Sequence, residues 1–200
     1  MEEYRLNIIA PPILLGDMED VPKKELRELG KWFFAIKESR LIELEKFIHR
    51  DPEFSNWKMD YTPESLITIQ PWAEKQVITE PLTETDIARW KESIHYTKFR
   101  MPIPERKVSA ITDFIMFDLS IYFGEVLIRN NDRLEWTLCI NRGRKYVNYG
   151  HIVIPINKYT QCNPFRIFQS FSHYCKENEV EDNEIYNRYL KTCRNIRYDF

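Results

Sequence analysis

Glycine is scarce, with five in 200 residues, and none of them falls in a GxGxxG, GxxxxGK[ST] or GxSxG run. The chain therefore lacks the common phosphate-cradling loops and the nucleophile elbow of the α/β hydrolases. Cysteine is equally sparse. Cys139, Cys162, Cys175 and Cys193 are widely spaced and contain no CxxC pair, which excludes a zinc knuckle or a thioredoxin-type redox pair and leaves reduced, buried thiols as the expectation. His49, His95, His151 and His173 show neither HxxxH nor HExxH spacing. No metal and no cofactor is expected from such a set.

A charge excess of one sign is also missing. Lys and Arg number 29 against 31 Asp and Glu, for a net charge of −2, and this balance argues against nucleic acid as the partner. Basic residues gather only locally, at Arg142, Arg144 and Lys145 and at Arg188, Lys191, Arg194 and Arg197, and the second group has Glu177, Glu179, Glu181 and Asp182 nearby. No apolar run approaches the roughly 20 residues needed to span a bilayer. The apolar run Ile8 to Leu15 follows Met1-Glu2-Glu3 and is interrupted by Pro11 and Pro12, so it does not read as a signal peptide. The expectation is a cytoplasmic protein without a membrane partner.

Hydrophobic residues make up 43 % of the chain and aromatics 14 %, enough for one domain over residues 1–200 with a substantial core. Residues 1–21 read as an extended lead-in. Pro22 suits the first position of a helix, and Leu26, Leu29, Phe33 and Ile36, then Leu41, Leu44 and Ile48, recur at helical spacing. One long helix or two abutting ones follow, with Gly30 and Glu38-Ser39 as possible breaks and an end before Pro52. Thr62-Pro63 resembles a cap opening a short helix that Pro71 kinks or ends. Thr83 and Asp86 form an apparent capping box for a helix carrying Ile87, Trp90 and Ile94. Ile111 to Ile128 is apolar on nearly every face and predicts a central helix covered by its neighbours.

The period then changes to two. Leu134, Trp136, Leu138 and Ile140 alternate with polar residues and predict a half-buried strand. A turn at Asn141-Arg142-Gly143 and return strand material over 145–149 and 152–156 complete a small antiparallel sheet near residues 134–156. Asn163-Pro164 opens a further helix with Phe165, Phe168 and Phe171, and a last helix carries Ile185, Tyr189 and Cys193. The expected fold is α+β and mainly helical, with a helical part at 22–129, a hairpin at 133–156 and C-terminal helices at 164–200.

Within the central helix Asp118, Tyr122, Glu125 and Arg129 are spaced i, i+4, i+7 and i+11 and share one face. Two carboxylates with a phenol between them would suit holding a metal or acid–base chemistry if they lined a pocket, although a metal would need further ligands from other elements, and none is identifiable. The commoner outcome is a solvent-facing edge on which Glu125 pairs with Arg129 and Asp118 is hydrated. Gly124 in the same helix implies a close neighbour, and Trp136 is the candidate to fill the space. Trp90 and Trp136 fall on apolar faces and read as core. Trp57, in a polar connection beside Asp60, reads as the tryptophan most open to solvent and a candidate contact, although a tryptophan closing the edge of the core is the commoner outcome.

Thr62-Pro63-Glu64-Ser65-Leu66 through Trp72, together with Ser120-Ile121-Tyr122-Phe123-Gly124-Glu125 followed by Trp136, resemble stretches of small bacterial proteins, some of them similar to immunity proteins of toxin systems. The resemblance implies a protein partner and brings no catalytic residues. The expectation is thus a bacterial protein-interaction module, of immunity type, that neutralises a cognate toxin. The alternative is a small enzyme or ligand-binding protein using the Asp118, Tyr122 and Glu125 face. The candidate partner- or ligand-binding residues are Asp118, Tyr122, Glu125, Arg129, Trp57 and Asp60.

Overall fold

The computed structural model describes residues 18–196; most of the lead-in, the run Ile8 to Leu15 and Arg197 lie outside them. The fold is α+β and mainly helical, with two small antiparallel sheets. Helix α1 (Lys23–Ile48) runs unbroken through both Gly30 and Glu38-Ser39, because Leu26, Leu29, Phe33, Ile36, Leu44 and Phe47 give it a continuous buried stripe. Pro22 sits one position earlier than expected, as the extended residue capping that helix. Leu138 approaches to 3.3 Å of where a Cβ on Gly30 would stand, so the glycine admits a neighbouring strand rather than breaking the helix.

Helix α2 (Ser65–Lys75) follows a tight turn in which Thr62 Oγ1 accepts from the Ser65 N–H at 3.3 Å. It continues through Pro71, and Trp72 and Ala73 beyond the proline are buried. Strand β1 (Thr79–Pro81) leads to α3 (Glu84–Glu92) and α4 (Ile94–Thr97), and strand β2 (Arg106–Val108) returns beside β1 with Glu80 opposite Lys107. The capping box forms as expected: Thr83 accepts from the Asp86 N–H and Asp86 accepts from the Thr83 N–H. The expected helix through Ile94 is split at Ser93, whose extended backbone separates α3 from α4.

Helix α5 (Ala110–Arg129) is the central element, capped by Ser109 and buried on most of its circumference. It packs against α1 and, more extensively, against α6 (Pro164–Glu177). Asn163 caps α6 through its side chain, and Pro164 occupies the first turn as expected. Helix α7 (Glu184–Cys193) docks onto α2 through the buried Gln70, whose amide donates to the Glu181 carbonyl at 2.9 Å and accepts from the Ile185 N–H at 3.0 Å. No helix among the described residues is long and apolar enough to cross a membrane.

The sheet is shorter than the sequence pattern suggests. Strands β3 (Thr137–Leu138), β4 (Ile152–Pro155) and β5 (Gln161–Cys162) pair in that order, and residues 145–149 form turns rather than strand. Alternation holds from Leu134 to Trp136 and then slips. The Ile140 N–H closes back on the Leu138 carbonyl, a tight turn that buries Cys139 and leaves Ile140 only half-buried. The ladder continues beyond the strand because Cys139 N–H donates to the His151 carbonyl.

Gly124 is where helix, strand and core meet. A Cβ at this position would stand 2.0 Å from Cζ2 of Trp136, and that indole cannot swing away freely because its Nε1 donates to Glu125 at 2.9 Å and its ring meets Phe33 edge-on. Gly124→Ala should therefore destabilise the fold by about 1–3 kcal/mol, the usual penalty of overpacking, despite alanine's better helix propensity. Urea unfolding measures the difference, and an unchanged or raised midpoint would contradict the packing.

Candidate functional site

The polar stripe of α5 faces inward, which corrects the expectation of a solvent-facing edge. Asp118 and Tyr122 have no exposed surface and Glu125 only 5 %. The covering element is α1, which presents Arg40 and Lys37 at one-turn spacing to the two carboxylates. Arg40 Nε donates to Asp118 Oδ1 at 3.0 Å and its Nη2 to Oδ2 at 2.5 Å, a forked pair with both partners buried. One turn further, Lys37 Nζ meets Glu125 Oε1 at 3.0 Å, the same oxygen that accepts from Trp136 Nε1. Arg129 pairs with the other carboxylate oxygen at 3.5 Å and stacks over the Tyr61 ring at 3.4 Å.

Tyr122 lies between these pairs and shares a 2.6 Å hydrogen bond with Ser65 Oγ. Burial pushes its phenol up to about 12, so it stays protonated at physiological pH and serves as a neutral hydrogen-bonding group. Trp57 is 9 % exposed and closes the edge of the core, the commoner of its two expected outcomes. Its indole donates to Thr68 Oγ1 at 3.1 Å and its ring meets Tyr122 edge-on at 5.4 Å. Asp60 stays exposed and closes a turn by accepting from the Thr62 N–H and hydroxyl. Trp57, Tyr122, Glu125 and Arg129 thus come together; the first three are buried in the wall of the core, Arg129 alone reaches solvent, and Asp118 is committed to α1.

Two features on the opposite side of α5 were not read from the sequence. The first is an arm, residues 82–105, that leaves the body through the β1–β2 ribbon. Its root is tied down: Lys107 bridges Glu80 and Asp86, the latter at 2.7 Å, and Thr112 Oγ1 accepts from the Ile78 N–H at 2.9 Å. The Lys107 ammonium, followed by the bonds from Thr83, holds the Asp86 carboxyl well below the ordinary range. Beyond the root, α3 buries no residue. Trp90, expected in the core, is half-buried and stacks on His95 within the arm at 5.7 Å. Tyr96, Phe99 and Met101 are exposed, Phe99 by 60 %.

The second is a cleft of about 870 Å³ between α1, α5, α6 and the turn at Gly150-His151, which His95 of the arm also lines. Trp32, Phe117 and Phe165 form its aromatic wall; Phe117 and Phe165 stack with centroids 5.2 Å apart, and Trp32 tilts against Phe117 at 5.8 Å. Asp113, one turn before Phe117 on the same face of α5, lines it as well. Its carboxyl is open to water on one side and crowded by protein on the other. That crowding, with the repulsion of Glu80, pushes it up to about 6 against the opposing pull of Lys107. A sequence signal existed in Trp32, which lies off the buried stripe of α1 beside Phe33. Among the described residues no group of three or more His, Cys, Asp or Glu side chains is placed to hold a metal.

The raised carboxyl has a defined sign. Asp113 holds its proton in the folded chain up to about pH 6 but ionises near 3.8 when unfolded, so its contribution to stability is present at low pH and lost as pH rises through that window. Asp113→Asn should gain stability relative to the parent between pH 4 and pH 7, by an amount that solvent screening keeps modest. Paired thermal melts at the two pH values check this, and a difference independent of pH would contradict the assigned environment. No protein-family model matches the chain, and no curated protein or solved structure shows significant similarity to it.

Proposed function

We propose that this protein is a cytoplasmic protein-binding module that engages its partner through the arm at residues 82–105. The observation carrying this reading is the exposure of Tyr96, Phe99 and Met101 on a segment whose first helix buries none of its own residues. Large apolar side chains on an element that contributes little to the core gain their stabilisation elsewhere, and aromatic residues and Met are enriched where proteins meet. From Ser93 to Pro104 the arm has no acidic residue, while Lys98 and Arg100 are cationic. The matching surface is an acidic protein face with an apolar depression. The resemblance to immunity-type proteins makes the partner a toxin that the chain neutralises by covering it.

The reading that placed chemistry on Asp118, Tyr122 and Glu125 loses its support, because those groups are used up in contacts within the core. A photo-cross-linking residue at position 99, in the native host, is expected to capture one protein that the same residue at Tyr159 does not. The double variant Phe99→Asp/Met101→Asp should bind that protein at least about thirtyfold more weakly, the loss of about 2 kcal/mol typical of a hot spot, with an unchanged unfolding midpoint. Undiminished binding by this variant would remove the arm as the contact. The captured protein, expressed alone, should arrest growth of the host, and coexpression of this chain should relieve the arrest. A harmless partner would remove neutralisation.

A further inference from the structure

The Asp113 carboxylate stands at an aromatic wall without a counter-ion. Among the described residues no hydrogen bond or ion pair reaches it. The nearest ammonium acting on it, that of Lys107, is engaged with Glu80 and Asp86. The cation that lines the cleft itself, Arg166, is exposed and held by a 2.7 Å hydrogen bond from its guanidinium to the Val147 carbonyl; it makes no ion pair with Asp113. His95, His151 and His173, the remaining titratable groups besides Tyr174, line the same space. Asp113 is exposed to solvent yet crowded enough for its carboxyl to be raised, and a negative charge lining one cleft with the aromatic rings of Trp32, Phe117 and Phe165 favours weakly hydrated cations over anions.

We infer that this cleft is a binding site for a small organic cation, an amine or quaternary ammonium head whose methyl or methylene groups lie against Trp32 and Phe117 while Asp113 supplies the neutralising charge. A compact inorganic cation fits less well, since its strong hydration is not replaced by the single carboxylate and ring faces available. The site is independent of the proposed protein contact, although His95 places one residue of the arm beside the ligand.

The probe is choline, with 3,3-dimethylbutan-1-ol as its neutral isostere, titrated into the full chain while the indole N–H resonances are followed by NMR, that of Trp32 being assigned with Trp32→Phe. Binding in the millimolar range is the affinity the inference requires. Choline should shift the Trp32 resonance saturably and bind at least about tenfold more tightly than the isostere. Its affinity should rise from pH 5 to pH 7 as Asp113 ionises. Asp113→Asn should weaken binding about tenfold and flatten most of that pH dependence, and Phe117→Leu should weaken binding at every pH. Equal binding of choline and its isostere, or full affinity in an Asp113→Asn variant that remains folded, would overturn the inference, as would no saturable shift up to about 50 mM, well beyond millimolar binding.

Discussion

The forked contact between Arg40 and Asp118 is the constraint around which the helical body is arranged. Both side chains are enclosed, and a buried ion pair is tolerated only when each charge keeps its partner and its hydrogen bonds. That requirement fixes the rotation of α1 about its own axis, because Arg40 and Asp118 must point at each other across the interface. It also fixes the register along it. With that pair in place, Lys37 falls one turn away beside Glu125, and Glu125 in turn holds the Trp136 indole over Gly124. The entry into the small sheet is therefore positioned by the same polar seam that aligns the helices. Apolar packing alone would supply the attraction but not this selectivity, since α5 is apolar on most of its faces and offers several near-equivalent ways to dock a helix.

The body and the arm divide the tasks of the chain. The buried charges of the seam are paired across it, the aromatic residues around it pack edge-on or tilted, and the seam itself leaves no room for chemistry. The arm at 82–105 leaves this body through a two-stranded ribbon tied at its root, and its tip invests nothing in the core. Exposed aromatic and methionine side chains beyond such a root fit the proposed role in binding another protein. The organic-cation site inferred in the neighbouring cleft uses the same division, with aromatic walls drawn from rigid helices and a carboxylate left without an internal partner.

Much of the helical architecture was legible in the sequence. The Thr83–Asp86 box, the Asn163-Pro164 start and the apolar run of α5 are local signals, and local physics forms those elements. The link from Gly124 to Trp136 was legible for the same reason, since a glycine in a buried helix requires something close. The stripe at Asp118, Tyr122, Glu125 and Arg129 was found, but its direction was not, because a polar stripe on one helix does not state whether water or another helix covers it. The missing clue lay in α1, where Arg40 occupies the buried stripe between Phe33 and Leu44. A cation on an apolar face implies a buried anion opposite. Strands of two or three residues were out of reach, because pairing with distant segments creates them, and the turn at Cys139 that shifts the alternation is set by hydrogen bonds to His151 and Gly150. The ribbon, and with it the arm, belongs to the same class.

The claim that the α5 stripe is internal structure is tested most directly by a double-substitution cycle at its centre, with stability measured by denaturant unfolding. Arg40→Met alone should cost about 3–5 kcal/mol, because it leaves Asp118 buried without its partner, and Asp118→Leu alone should cost a similar amount through Arg40. The double variant should recover most of that loss, an interaction energy of several kcal/mol that only direct contact produces. Two small, additive effects would contradict the account and return Asp118 to the surface.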